Sequence, residues 1–268
     1  MQNTIAKDRP IEASIAPSTG QRLWEVDALR GVAILLMVVY HFAYDLVAYV
    51  GADIAVRNGG WLVLQRTTAT LFLFLVGVSV NLRYHALARR GLSDRQIFLR
   101  FLRRGLWVFG WGMVITAITY VAVPYAFVIF GILHMIGTST VLSFPFVKLR
   151  SRAALLVVIL LWAATSYPLQ EAHFSFPWLL WLGFVPYNFA TVDYFPLFPW
   201  FGVVLAGILF SKSFYPNFER QFALNDYSRA PLVRVASWAG SHSLAIYLIH
   251  QPILLALIFG WLFLSQRL

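Results

Sequence analysis

Residues 29–50 form an apolar stretch that carries ionisable side chains at regular spacing. In an α-helix, which repeats every 3.6 residues, Asp27, Arg30, His41 and Asp45 fall on one face. At about 1.5 Å of rise per residue, His41 lies roughly 16 Å along the axis from Arg30, near the centre of a bilayer about 30 Å thick. An imidazole at that depth indicates a functional site, and an imidazole beside a carboxylate is a competent general base.

Two further histidines, His134 and His250, are predicted to lie at a similar depth in later apolar stretches. Each one alone is explained as well by hydrogen-bonded packing as by function. The three together predict a polar chamber inside the protein, for which the available partners are Arg30, Asp45, Tyr247 and Gln251. Such a chamber suits general-base catalysis, a proton-coupled carrier, or ligation of a metal or haem.

The composition determines which elements must position these side chains. The chain has 268 residues, of which 60% are hydrophobic and only 12% charged, and a lipid span requires about twenty apolar residues. There is no cysteine, which excludes thiolate catalysis and thiolate metal sites. The sequence predicts an all-α, polytopic transmembrane helix bundle of about seven spans, at residues 28–50, 62–82, 105–123, 127–147, 153–168, 197–213 and 238–264.

The distribution of the net charge of +10 predicts the orientation of the bundle. Of the 21 Lys and Arg residues, all but Arg57, Arg66 and Arg267 fall on one side of the predicted spans. This alternation is typical of cytoplasmic loops and argues against a nucleic-acid surface. We therefore expect a cytoplasmic N-terminus, a flexible cytoplasmic tail over residues 1–21, and one integral-membrane domain over residues 22–268.

The largest group of arginines lies between the second and third predicted spans, at residues 83–104. Ser93 and Gln96 have the spacing of a capping box, which predicts a short helix at the cytoplasmic interface. Two interpretations stay open for the arginines: contact with lipid phosphates, or a dock for a polyanionic cytosolic ligand bound by bidentate guanidinium contacts. The residues that we consider for the second are Arg83, Arg103 and Arg104, together with Arg30 and Asp27.

Two regions on the opposite side carry candidate acceptor residues. Gln65 and Arg66 make the outer half of the second span polar, either by snorkelling to the surface or by lining a water-filled cavity. Residues 168–196 combine many aromatic side chains with Glu171 and Asp193. That combination is typical of a membrane aromatic belt, and it also suits a bound sugar.

Four motifs, at residues 27–41, 131–137, 199–202 and 243–252, together resemble the heparan-α-glucosaminide N-acetyltransferase catalytic-domain family of transmembrane acyltransferases. The likeness covers residues 22–252. Arg30 and His41, with ten residues between them, also resemble the arginine–histidine pair of the acyltransferase-3 membrane enzymes. The residues 51–60 contain no histidine, whereas the lysosomal glucosaminide enzymes are expected to carry their active histidine in this loop.

The resemblance implies transfer of an acetyl or related acyl group from cytosolic acetyl-CoA, through the membrane, to an extracytoplasmic acceptor such as a glycan amine or hydroxyl. In this interpretation His41 is base or acyl relay, Asp45 orients it, and Arg30 holds the CoA end or the thioester carbonyl. His134 and His250 complete the chamber, and no metal is required. We expect a multi-pass protein of the bacterial inner (plasma) membrane in contact with lipid, and the oligomeric state stays open, a homo-oligomer included. The rival interpretation is a non-enzymatic transporter or small-ligand carrier.

Overall fold

The computed structural model describes residues 23–266, apart from the side chains of Gln170 and Asn217. The predicted tail, residues 1–21, and Arg267 lie outside the described residues. Nine α-helices follow one another along the described part of the chain. Their bounds are α1 Trp24–Asp45, α2 Gly59–Arg89, α3 Asp94–Ala122, α4 Ile132–Leu142, α5 Phe144–Lys148, α6 Arg152–Glu171, α7 Leu197–Phe214, α8 Pro231–Ser241 and α9 Ser243–Ser265.

The prediction of an all-α polytopic helix bundle is confirmed. Six helices of the described residues, α1, α2, α3, α6, α7 and α9, are long and apolar enough to cross a membrane. A π-helical turn, Leu46–Val50, extends α1. The only strands in the described part of the chain are two parallel two-residue segments, His173–Phe174 and Val185–Pro186.

The arginine-rich stretch does not form the separate interfacial helix that the capping box predicts. Ser93 does cap a helix through Gln96, but that helix is α3, and it continues without a break to Ala122. Gly105 lies within this helix where α3 packs closely on α4, since a Cβ there would approach the carbonyl oxygen of Gly137 to 2.6 Å. The predicted interfacial helix and the predicted third span are therefore one helix.

The predicted fourth span is shorter than expected, since α4 begins only at Ile132. The residues before it are hydrogen-bonded to the segment that precedes α7: the amide of Val192 donates to the carbonyl of Ala126 at 2.8 Å, and that of Phe195 to Phe130 at 3.0 Å. These contacts satisfy backbone groups that would otherwise continue α4 in the N-terminal direction.

Helices α2 and α7 pack closely in parallel through two glycines. A Cβ at Gly77 would lie 2.0 Å from the carbonyl oxygen of Val204, and one at Gly207 would lie 2.0 Å from that of Phe74. Beside this contact the buried amide of Asn81 donates to the hydroxyl of Ser211 at 3.0 Å.

Helices α8 and α9 together pack against α1 along its length. The start of α1 contacts α8, where a Cβ at Gly240 would overlap the carbonyl oxygen of Asp27. The π-helical turn that extends α1 contacts α9, where the ring centroids of Tyr49 and Phe259 lie 5.2 Å apart. The predicted single helix over residues 238–264 is thus corrected to two helices, which are interrupted at His242 (φ −108°, ψ 16°).

The glycine contact between α2 and α7 gives a stability prediction. Gly77→Ala should destabilise the protein by about 1–3 kcal/mol, because the added methyl has only backbone to move against. Gly110→Ala is the matched control, since a Cβ at this α3 glycine meets no atom of the described residues within 4 Å. Thermal unfolding of the detergent-solubilised variants measures both, and equal midpoints would contradict the packing account.

Candidate functional site

A cavity of about 760 Å³ lies at the end of the bundle that is rich in arginine. Its walls are partly apolar, with Val76, Val108 and Leu133 from three different helices. Its one acidic side chain among the described residues is that of Asp27. The basic residues that line it are Arg30, Arg83, Arg89, Arg90, Arg100 and Arg104. A cavity with this excess of guanidinium groups attracts polyanions, and each fork can bind a phosphate through two hydrogen bonds.

Arg30 is held against the cavity wall by residues of two helices. Its guanidinium donates to the carboxylate of Asp27 at 3.0 Å within α1 and to the hydroxyl of Ser79 on α2. The ion pair with Asp27 is partly buried, with side-chain exposures of 19% and 14%. The predicted proximity of Asp27 and Arg30 is therefore present in the structure, and both residues line the cavity.

The other predicted arginines divide between the cavity and the outside. Arg83 near the end of α2 and Arg104 in α3 line the cavity, whereas Arg103 does not. Arg103 and Arg104 are successive residues of α3 and point about 100° apart. Arg104 also lies over the ring of Trp107, with 5.1 Å from its guanidinium carbon to the ring centroid.

Tyr247 connects this cavity with two of the three predicted histidines. It lines the cavity from α9, and its ring centroid lies 5.6 Å from that of His250. The ring of His250 in turn lies 4.9 Å from that of His41 on α1. The structure therefore brings His41 and His250 together, although neither is among the residues that line the cavity.

Backbone hydrogen bonds engage Nδ1 of each histidine in this pair and leave each Nε2 without a backbone partner. Nδ1 of His41 lies 2.9 Å from the carbonyl oxygen of Met37, and Nδ1 of His250 lies 2.6 Å from that of Tyr247. A carbonyl only accepts, so each Nδ1 is the protonated nitrogen and each Nε2 carries a lone pair. The Nε2 of His250 is buried and has no partner among the described residues.

Asp45 has a different partner from the one predicted. Its carboxylate is almost fully buried, at 1% exposure, and accepts two hydrogen bonds from the amide of Gln251 at 2.8 and 2.9 Å. It also interacts electrostatically with His250. In the described residues the carbonyl of Met37 contacts the ring of His41, and Asp45 links α1 to α9 through Gln251. The orienting role of Asp45 stays a prediction.

His134 lies apart from the histidine pair and has both ring nitrogens engaged. Its Nδ1 accepts from the amide of Gly131 at 3.2 Å, and its Nε2 lies 3.4 Å from the hydroxyl of Thr116. Its ring packs against Phe109 and Phe130, with centroid distances of 4.9 and 5.6 Å. These contacts fix the first turn of α4 on α3, and a catalytic role for His134 stays a prediction.

The start of α4 is also held by Asp193, which comes from the connection between α6 and α7. One carboxylate oxygen, Oδ2, accepts from the amide of Ile132 at 3.0 Å. Burial raises the pKa of the Asp193 carboxyl to about 6, although the hydrogen bond from Ile132 acts in the opposite direction. Gly131 is required here, because a Cβ would lie 2.1 Å from this oxygen.

The predicted acceptor residues Gln65 and Arg66 are exposed on α2, whereas Thr68 and Ala69, which follow in the same helix, are buried. Their role stays a prediction. Within residues 23–266 no three His, Asp or Glu side chains lie together as a metal site would require.

The local sequence pattern does not determine the contacts of three site residues, which are Tyr247, Gln251 and Asp193. The first two stand next to His250 on α9, so their position was accessible from helical spacing. For Asp193 the only sequence signal is a carboxylate among aromatic residues. Its place at α4 depends on the pairing of two distant segments.

The comparisons with known proteins agree with these observations. The family described as heparan-alpha-glucosaminide N-acetyltransferase, catalytic, matches residues 22–252. No curated protein and no solved structure matches the chain. The match covers most of the chain and includes every site residue discussed above, and the predicted family is thereby confirmed: this protein belongs to the heparan-alpha-glucosaminide N-acetyltransferase catalytic family.

Proposed function

We propose that this protein is a membrane acyltransferase that passes an acetyl or related acyl group from cytosolic acyl-CoA to an extracytoplasmic acceptor. The observation that carries the proposal is the arginine-lined cavity that reaches Tyr247, which contacts His250 of the histidine pair. An acyl-CoA is a polyanion at one end and a reactive thioester at the other. The cavity has both kinds of surface, since guanidinium groups and apolar side chains line it together.

The phosphates of CoA would bind the arginines of α2 and α3 that line the cavity, Arg83 and Arg104 among them. Arg30 is already positioned by Asp27 and Ser79, so it can donate to the donor substrate with little loss of side-chain entropy. The acyl group would then point towards Tyr247 and the histidine pair.

His41 carries the chemistry in this proposal, as base or as acyl relay. The hydrogen bond to Met37 presents its Nε2 as the reactive nitrogen. His250 packs on it edge to face, and Asp45, held by the amide of Gln251, lies near His250. His134 would position α4, and Gln65 and Arg66 would lie on the acceptor side of the membrane. We place the protein in the bacterial plasma membrane, with an extracytoplasmic glycan amine or hydroxyl as acceptor.

The arginines provide a matched pair of variants for donor binding. Arg104→Gln should raise the KM for acetyl-CoA about tenfold, the equivalent of roughly 1.4 kcal/mol of lost phosphate contact. Arg103→Gln removes the same charge from the neighbouring residue, which does not line the cavity, and should leave the KM unchanged. The rate of transfer, measured over a range of acetyl-CoA concentrations, gives the KM of each variant. Equal KM values for the two variants would mean that general electrostatic attraction, rather than a specific site, binds the donor.

His41 is tested by transfer of label from radiolabelled acetyl-CoA to added sugars. His41→Ala should abolish transfer while acetyl-CoA still binds, because the donor cavity does not include His41. The ring of His85, which lies near the arginine-rich end of α2, is the control, and His85→Ala should retain transfer. Full transfer by His41→Ala would contradict the role given to this residue. Passage of a solute into liposomes without an acyl donor would instead favour the carrier.

A further inference from the structure

The connection between α7 and α8 contributes one side chain to the arginine-lined cavity, that of Phe218. Phe218 ends a single 3₁₀ turn, Pro216–Phe218, and is half-buried. It packs against an apolar cluster that includes Val26 and Leu82, and these two residues line the same cavity. The ring of Phe218 is therefore anchored on the cavity wall and keeps part of its surface accessible.

Two ion pairs, formed by the next two residues of the chain, hold this turn in place. Glu219 lies 3.6 Å from Nη2 of Arg89, which ends α2 and lines the cavity. Arg220 donates through Nε and Nη2 to Oε1 of Glu25 at 3.0 and 2.8 Å, and Glu25 is buried at 8% exposure. The buried pair anchors the turn on the start of α1, and the exposed pair places Phe218 beside a guanidinium group of the cavity.

The backbone of Phe218 has the left-handed conformation, with φ of 69°. This conformation costs free energy for a bulky residue, whereas glycine adopts it readily. The turn alone therefore does not explain an aromatic residue at this position. Packing against the apolar cluster explains an apolar side chain, but leucine would provide that as well. The property left to explain is a flat ring at the wall of a basic cavity.

Three other aromatic residues line the cavity, and each differs from Phe218 in its surroundings. Phe72 lies 17 residues before Arg89 in α2, which is roughly 26 Å along the helix axis. Phe101 is only 3% exposed and belongs to the hydrophobic core. Tyr247 lies against the histidine pair. Among the described residues, Phe218 is thus the aromatic residue of the cavity that joins an accessible ring to a position beside the arginines.

We infer that Phe218 stacks on the adenine base of the acyl-CoA donor while the neighbouring arginines bind its phosphates. This inference rests on the proposed function, which supplies the donor, and adds to it a residue that determines donor specificity. An adenine nucleotide joins a flat base to phosphate groups, whereas a phospholipid headgroup has the phosphate without the base. Stacking of a base on an aromatic side chain is favourable because every base has a π-face.

The stacking contact acts on binding of the donor and leaves the chemical step alone. The adenine base is at the opposite end of CoA from the thioester, so its contact with Phe218 is the same in the ground state and in the transition state. Interactions of this kind lower the KM without raising kcat. A donor that lacks the nucleotide, such as S-acetylpantetheine, gains nothing from Phe218.

Phe218→Leu tests the stacking, because it removes the flat ring and keeps an apolar side chain on the same backbone. Purified Phe218→Leu protein should bind adenosine 3′,5′-bisphosphate, the nucleotide part of CoA, about tenfold more weakly than wild type. Its affinity for inorganic pyrophosphate, which has no base, should be unchanged. Phe218→Tyr restores a ring and should restore the affinity for the nucleotide. Isothermal titration calorimetry in detergent measures all of these affinities.

Phe222→Leu is the matched control. Phe222 follows in the same connection, is half-buried and packs against the same apolar cluster, but it does not line the cavity. This variant should keep the wild-type affinity for the nucleotide. In the transfer assay Phe218→Leu should raise the KM for acetyl-CoA about tenfold with kcat unchanged, and its KM for S-acetylpantetheine should equal that of wild type.

The outcomes separate the inference from the proposed function. Equal weakening of nucleotide and pyrophosphate binding in Phe218→Leu would mean that the residue only holds the turn, and unchanged nucleotide binding would remove the stacking contact. Either result overturns the inference, and transfer by the wild type would leave the proposed function standing. Displacement of the nucleotide by excess phosphatidylglycerol in the micelles would assign the arginines to lipid and would also overturn the inference. Nucleotide binding that depends on Phe218, without any acyl transfer, would overturn the proposed function alone.

Discussion

A carboxylate buried in the apolar interior of this bundle is stable only where hydrogen-bond donors meet it, and the contact between α1 and α9 follows from that constraint. Asp45 of α1 is buried and paired with Gln251 of α9. His41 and His250 pack between the same two helices, one ring against the other. Removing either helix would leave a buried carboxylate or imidazole without its partner, so the contact that stabilises the fold also assembles the reactive groups.

The arginine-lined cavity and the histidine pair are neighbours without being one chamber. Tyr247 lines the cavity, and its ring contacts that of His250, which does not line it. In the proposed acyltransferase this separation has a chemical use. A donor held by arginines at one end must present only its reactive end to an acceptor that arrives from the other, and a continuous polar channel would let water and solutes through. Tyr247 stands at the junction between the two.

The local sequence was sufficient to predict the class of fold from its composition and the arginine-rich end of the bundle from its charges. It failed where distant segments decide the outcome. The short α4 depends on backbone pairing between residues 126–130 and residues 191–195, which no local pattern contains. The continuity of α3 was also missed, because a glycine within a helix lowers its helix propensity, and the local sequence does not show that Gly105 packs against α4.

The candidate site shows the same division. The approach of His41 to His250 agrees with their similar predicted depth, because two parallel helices bring equal depths together. Similar depth was not enough for His134, whose helix lies on α3 and away from α1. Asp45 was predicted one turn from His41, yet a long amide side chain on α9 provides a better partner for a buried carboxylate than an imidazole already bound to its own backbone.

The most direct test of the central claim is acyl transfer across a sealed bilayer. Purified protein in liposomes would receive radiolabelled acetyl-CoA on the arginine-rich side only, with a sugar acceptor enclosed on the other side. The account predicts label in the enclosed acceptor, with CoA retained outside. Labelled acetyl-CoA inside the liposomes, or passage of solute without any donor, would contradict it and identify the protein as a carrier.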